Sequence, residues 1–119
     1  MSIAHLDSLW RKAVMLKHHN RSVVSGAPAT EIHHIVTRSR KNTRWDVDNG
    51  CPLTLQEHRM LHDNPSFRHI VHLKFGLKNI DNLQIKSVKY FDKNFDRIKN
   101  ELKEAIKKYE KENNGNCIN

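Results

Sequence analysis

Cysteine, aromatic side chains, long apolar runs and acidic residues are all scarce in this chain, and each scarcity removes a class of protein. Only two cysteines occur in 119 residues, Cys51 and Cys117, the second in a polar tail. Two thiols build neither a disulfide framework nor a four-cysteine zinc site, and such usage fits a reducing compartment. No stretch approaches the roughly 20 apolar residues needed to span a bilayer, and the N-terminus lacks a basic segment followed by an apolar run. The expectation is an intracellular, cytoplasmic protein with no membrane partner. Aromatics make up 7% of residues, which leaves few large groups for a core. Acids number 13 against 21 lysines and arginines, for a net charge of +8, so polyanions are the natural partners. Charge by itself does not choose DNA over RNA.

What is present divides into one small domain, since a chain of this size buries only about two-thirds of its unfolded surface. Leu6, Leu9, Trp10, Ala13 and Val14 recur at helical spacing and predict an N-terminal helix within residues 1–21. Ser22 to Gly26 reads as a short strand and tight turn, a hairpin or a knuckle. Glu31 to Val36 is rich in β-branched residues and reads as a strand, followed by an aperiodic basic loop from Thr37 to Asp48. Asn49-Gly50 supplies a turn before a short apolar run, Cys51 to Leu55, and Gln56 to His62 then carries helix formers up to Pro65. A short helix through Phe67 and Phe75 should end at Gly76, with a connector after it. From Ser87, read as an N-cap, Val88, Phe91, Phe95, Ile98, Leu102, Ala105 and Tyr109 form a heptad-like stripe on a long helix. That stripe packs either on its own domain or on a second copy, so the chain is a monomer or a homodimer through this helix. Residues 65–112 make up the C-terminal helical part, and 113–119 form a flexible tail.

Nine histidines invite a search for a site. His58 and His62 lie one turn apart on a predicted helix and could grip one metal ion. With nine histidines such a pair arises easily by chance, and solvent exposure is the default for His5, His18, His19, His69 and His72. A grouping of His58, His62, His69 and His72 would need Pro65 to redirect the chain and bring two helices together. More specific is the series His33-His34 at a strand end, fourteen intervening residues to Asn49, eight more to His58 and three more to His62.

Over residues 22–64 this series resembles the HNH family, the ββα-metal or His-Me finger endonucleases, and its spacing looks like the all-histidine version in the DNase colicins. The resemblance implies an α+β protein with a small ββα-metal core, flanked here by the N-terminal helix and the long C-terminal helix. It makes His33, His58 and His62 ligands of one divalent ion, His34 the general base, and Asn49 the anchor that orients the base. It implies hydrolysis of DNA phosphodiester bonds. The chemistry suits those residues, because a neutral imidazole takes a proton near pH 7 and a bound cation stabilises charge on the phosphate and the departing oxygen. Nitrogen ligands favour zinc, nickel, cobalt or manganese over magnesium, although an open three-ligand site accepts several ions.

One difficulty comes with this reading: neighbours on a strand point to opposite faces, so the strand must twist or end at His33-His34. There is also a departure from the family. Many members carry C-x-x-C pairs that bind a structural zinc, whereas this chain has Ser22 and Ser25, then Thr54 and Glu57, in those frames. No second zinc is therefore expected, and stiffness should come from packing against the flanking helices. Arg38, Arg40, Lys41 and Arg44 fall within seven residues between the base and its anchor, where they could contact phosphate. Trp45 would pack under that loop or stack on a base. The segment from Pro65 to Leu83 looks like the tails of phage HNH and recombination nucleases, which adds two expectations: a phage-encoded protein acting in a host cell, and a structure-specific nuclease of recombination or packaging as an alternative. A noncatalytic metal-containing nucleic-acid-binding module is a further alternative.

Overall fold

Helical spacing puts Leu6, Trp10, Ala13 and Val14 on one side of the first helix, and the computed structural model buries all four along α1 (Ile3–Lys17). The described residues are 2–91 and 93–118. Ser2 caps α1, its hydroxyl accepting from the His5 amide at 3.1 Å. His18, expected in solvent, is half-buried after the last turn; burial first, then the neighbouring Lys17 and His19, push its imidazole down to about 4.

Residues 22–26 form a knuckle and no strand. The Ser22 hydroxyl takes the Val24 and Ser25 amides at 3.0 and 3.2 Å, a local bonding pattern that competes with a ladder. The knuckle is tied to the sheet by the Val23 amide, which donates to the Pro52 carbonyl at 3.1 Å.

Strand β1 (Glu31–His34) pairs antiparallel with β2 (Gly50–Leu53), in register Glu31 with Leu53, Ile32 with Pro52, His33 with Cys51 and His34 with Gly50. β1 stops two residues before the expected Val36, because the Val36 amide donates to the Asn49 side chain instead of to a strand. The loop between the strands contains a single helical turn, α2 (Lys41–Arg44), and a 3-10 turn at Val47–Asn49. Gly50 is where the sheet meets α1: a Cβ there would stand 2.5 and 2.7 Å from the two Val14 methyls.

α3 (Leu55–Asp63) opens with a reciprocal capping box between Thr54 and Glu57. Asn64 then ends α3 and caps α4 (Pro65–Phe75), its side chain accepting from the Ser66 and Phe67 amides. Pro65 does redirect the chain, bringing Leu61 of α3 and Val71 of α4 into one buried cluster with Cys51 and Leu53. Gly76, at φ 113°, closes α4 as expected, and the presumed connector is a further helix, α5 (Leu77–Ser87), which buries Ile80 and Leu83. Ser87 therefore ends a helix rather than starting one, its hydroxyl donating to the Gln84 carbonyl at 2.7 Å. The long helix α6 (Phe95–Ile118) begins after Asn94, whose side chain accepts from the Arg97 amide, and its backbone stays helical past Glu112, where the tail was expected.

Leu102 joins Leu6, Trp10, Val14 and Trp45 in a second buried cluster, with Phe95 and Ile98 packed against it. The heptad-like stripe is thus covered by α1 of the same chain, while Val88, expected in that stripe, is 71% exposed. Among the described residues the result is a small α+β protein of six helices and a two-stranded sheet. The sheet separates two cores, α1 with α6 on one face and α3 with α4 on the other. No helix among those residues is long and apolar enough to cross a membrane.

Candidate metal centre and its surroundings

Strand alternation decides where the paired histidines go. His33 shares its face with Glu31 and meets α3, whereas His34 shares its face with Ile32 and meets α1. Their rings leave opposite faces of β1, whose last residue is His34, so the strand keeps its alternation through the pair.

On the α3 face His33, His58 and His62 converge, with one nitrogen of each lying within 4.8 Å of the others. The Nε2 atoms of His58 and His62 are 3.3 Å apart. One ring can donate to the other at that spacing, and it also matches the roughly 3.3–3.4 Å between two nitrogens that each sit about 2.0–2.1 Å from one tetrahedral ion. His33 Nε2 is buried without a hydrogen-bond partner. Burial, then the charges of His58, His72 and His62, push the His33 imidazole down to about 3, so its ring is neutral and its lone pair available at neutral pH. Glu31 Oε1 stands 3.6 Å from His58 Nδ1, the edge away from His62, in the place of a carboxylate that orients a ligating imidazole. A three-nitrogen donor set with a carboxylate behind it fits a divalent cation.

On the α1 face His34 stacks on Trp10, with ring centroids 4.1 Å apart and planes 11° off parallel. Its Nε2 lies 3.3 Å from the Arg44 carbonyl oxygen. A carbonyl only accepts, so the bonded tautomer carries its proton on Nε2 and leaves Nδ1 as a proton acceptor. Burial lowers the His34 pKa against the raising influence of that bond and of Asp7. The ring is held from behind by a chain of contacts: Trp10 Nε1 donates to the Asp46 carbonyl at 2.7 Å, and the Asp7 carboxylate accepts from Arg44 Nε and Nη2 and from Trp45 Nε1. Burial raises the Asp7 pKa, but these donors outweigh it and hold the carboxyl below its ordinary value.

Asn49 is fully buried beneath the loop. Its Oδ1 accepts from the Val36 amide at 2.7 Å, and its Nδ2 donates to the Val36 and Thr43 carbonyls at 3.0 Å each. One side chain therefore ties the loop's start to the turn that carries Arg44, and so sets the carbonyl that His34 meets. Of the four basic loop residues, Arg38, Arg40 and Lys41 are exposed, whereas Arg44 is committed to Asp7. Trp45 packs beneath the loop against Phe91 and Phe95.

Protein-family models, curated proteins and solved structures give no match to this chain.

Three contributors lay outside the sequence reading. His72, assigned to solvent, stacks on His33 at 6.1 Å and 17°, its Nε2 buried and unpartnered. Burial, followed by Arg68 and His69, lowers its pKa. The corner at Pro65 that brings it there was the signal, although His69 stays exposed and the four-histidine grouping does not form. Glu31 is the second, two residues before His33 and hence on its face. The third is the knuckle, where stiffness comes from polar bonding as well as packing. Ser22 Oγ donates to Glu57 Oε1 at 2.6 Å, the Thr54 amide donates to the same oxygen at 2.8 Å, and Ser25 bonds Glu57 too. Burial raises the Glu57 pKa, and those bonds bring it below its usual value.

Proposed function

We propose that this chain is a metal-dependent HNH endonuclease with a ββα-metal core, hydrolysing DNA phosphodiester bonds with one divalent ion and His34 as general base. The observation that carries the reading is the pairing across β1: three convergent imidazoles on one face and, one residue on, an imidazole with a free acceptor edge on the other. His33, His58 and His62 hold the ion. When bound it acts as a Lewis acid toward the phosphate and the departing 3′ oxygen. His34 Nδ1 takes the proton of the attacking water, while Nε2–H stays on the Arg44 carbonyl and keeps the ring in the tautomer that can accept. Asn49 holds that carbonyl in place through the loop, and Trp10 limits the ring's rotation. Arg38, Arg40 and Lys41 line the approach and favour the phosphate backbone, which gives affinity without base readout. Arg44 shapes the loop through Asp7 and leaves phosphate contact to the other three. The products carry 5′ phosphate.

Purified protein is incubated with supercoiled plasmid and a panel of zinc, nickel, cobalt, manganese and magnesium. The reading expects nicking that depends on an added ion and is lost in His34→Ala. DNA binding without cleavage under every ion would favour a noncatalytic nucleic-acid-binding module instead, and nicking unchanged in His34→Ala would remove the mechanism.

A further inference from the structure

α4 places His72 against the ring of His33, and that placement is unlike ordinary packing. The two rings are 6.1 Å apart and nearly parallel, at 17°. A residue that only filled space there would serve as well without polar atoms, yet His72 buries Nε2 with no hydrogen-bond partner. A buried polar nitrogen left unpaired costs about 1–3 kcal/mol, which a ligand that bonds to it would relieve. His72 is not among the three histidines whose ligand nitrogens converge, so its place is beside the centre rather than in the ion's grip. Its own helix adds to the case. Arg68 lies one turn earlier on the same face of α4, and that helix, residues 65 to 75, contains no aspartate or glutamate. α4 thus brings donors to the centre and no carboxylate of its own, the chemistry that receives an anion.

We propose that His72 is a substrate-positioning residue: in the tautomer with Nε2 protonated, it donates to a non-bridging oxygen of the phosphate group seated at the three-histidine centre, with Arg68 beside it. The proposal rests on the metal-centre reading above and assigns that centre's anion side to α4. It also gives the corner at Asn64-Pro65 a purpose, since the corner turns α4 back so that His72 reaches β1.

The test uses the full chain loaded with manganese, and inorganic phosphate as the probe. Calorimetry gives the manganese affinity, and broadening of the phosphate phosphorus resonance gives the phosphate affinity of the loaded protein. Manganese binding should stay within about twofold in His72→Ala while phosphate affinity falls about tenfold, the scale of one lost hydrogen bond to a charged group. His72→Gln, which keeps a donor, should recover part of the loss. His72→Phe, which keeps the stack on His33 and so guards against a folding defect, should recover none. Unchanged phosphate affinity in His72→Ala, equal recovery by Phe and Gln, or loss of manganese from every His72 variant would each overturn the role. A wild-type chain that binds no manganese would overturn the metal-centre reading itself, an outcome distinct from a loaded chain indifferent to His72.

Discussion

Two polar clusters draw on α3, one through Glu57 in its first turn and one through His58 and His62, and they differ in how their atoms are satisfied. At the knuckle, Ser22, Ser25, Thr54 and Glu57 bond one another: the Glu57 carboxylate is bonded by the Ser22, Ser25 and Thr54 hydroxyls and the Thr54 amide, and the Ser22 hydroxyl accepts from two amides. At the histidine centre, His33 and His72 each bury a nitrogen with no partner, while His58 and His62 face each other at 3.3 Å. A buried polar group without a partner is costly, so a fold retains one where something outside the chain completes it. The knuckle is complete by itself and acts as a clasp. The histidine centre is incomplete by itself and is the candidate site.

Substitutions separate the two. The largest expected effect is on catalysis: His34→Ala should lower plasmid cleavage by about 10²–10⁴-fold, the usual worth of a general base, with the bound ion retained. Equal loss of ion and activity would show that His34 supports the centre's structure instead. Next is Glu31→Gln, which should weaken ion binding by about 10-fold or more without changing the fold, as expected when the carboxylate behind a ligating histidine is neutralised. Glu57→Ala reverses the pattern: it should cost about 1–3 kcal/mol in denaturant unfolding, by leaving Ser22 and the Thr54 amide unpaired, and leave ion affinity near wild type. If Glu57→Ala abolished ion binding while stability held, the clasp and the centre would not be separate.

The smallest effect is on pH dependence. The folded values of His33 and His18 lie near 3 and 4, below the ordinary 6.5, so the unfolded chain binds their protons first. Their contribution to stability is complete above about pH 6.5 and is lost as pH falls through those folded values. Ion-free protein should therefore unfold at progressively lower denaturant concentration from pH 7 to 4. His18→Gln should flatten that slope, and an unchanged slope would contradict the burial assigned to His18.

Part of the candidate site was legible because it depends on local spacing. An i, i+4 histidine pair shares one face of a helix, whereas the roles given to His33, His34 and Asn49 came from the resemblance of the whole series to the HNH pattern and not from local geometry. What was not legible depends on long-range geometry. His72 is ten residues beyond His62 and looks like one more surface histidine until the Pro65 corner folds α4 onto α3. The Arg44 guanidinium looks free until α1 brings Asp7 to it across the fold. The clasp was hidden for a different reason: hydroxyls and a carboxylate read as the loss of a zinc site, and only their mutual distances show a bonded network. In the fold, α5 was missed because Ile80 and Leu83 are too few to declare a period, and Ser87 was misplaced because a serine near a helix end suits either terminus.

The central claim is that His33, His58 and His62 hold one divalent ion and that the neighbouring clasp does not. Calorimetric titration of zinc or manganese into the wild type, His58→Ala and Glu57→Ala chains tests it directly. The account predicts one ion per wild-type chain, none in His58→Ala and one in Glu57→Ala. Undiminished binding in His58→Ala, or no binding in the wild type, would contradict it.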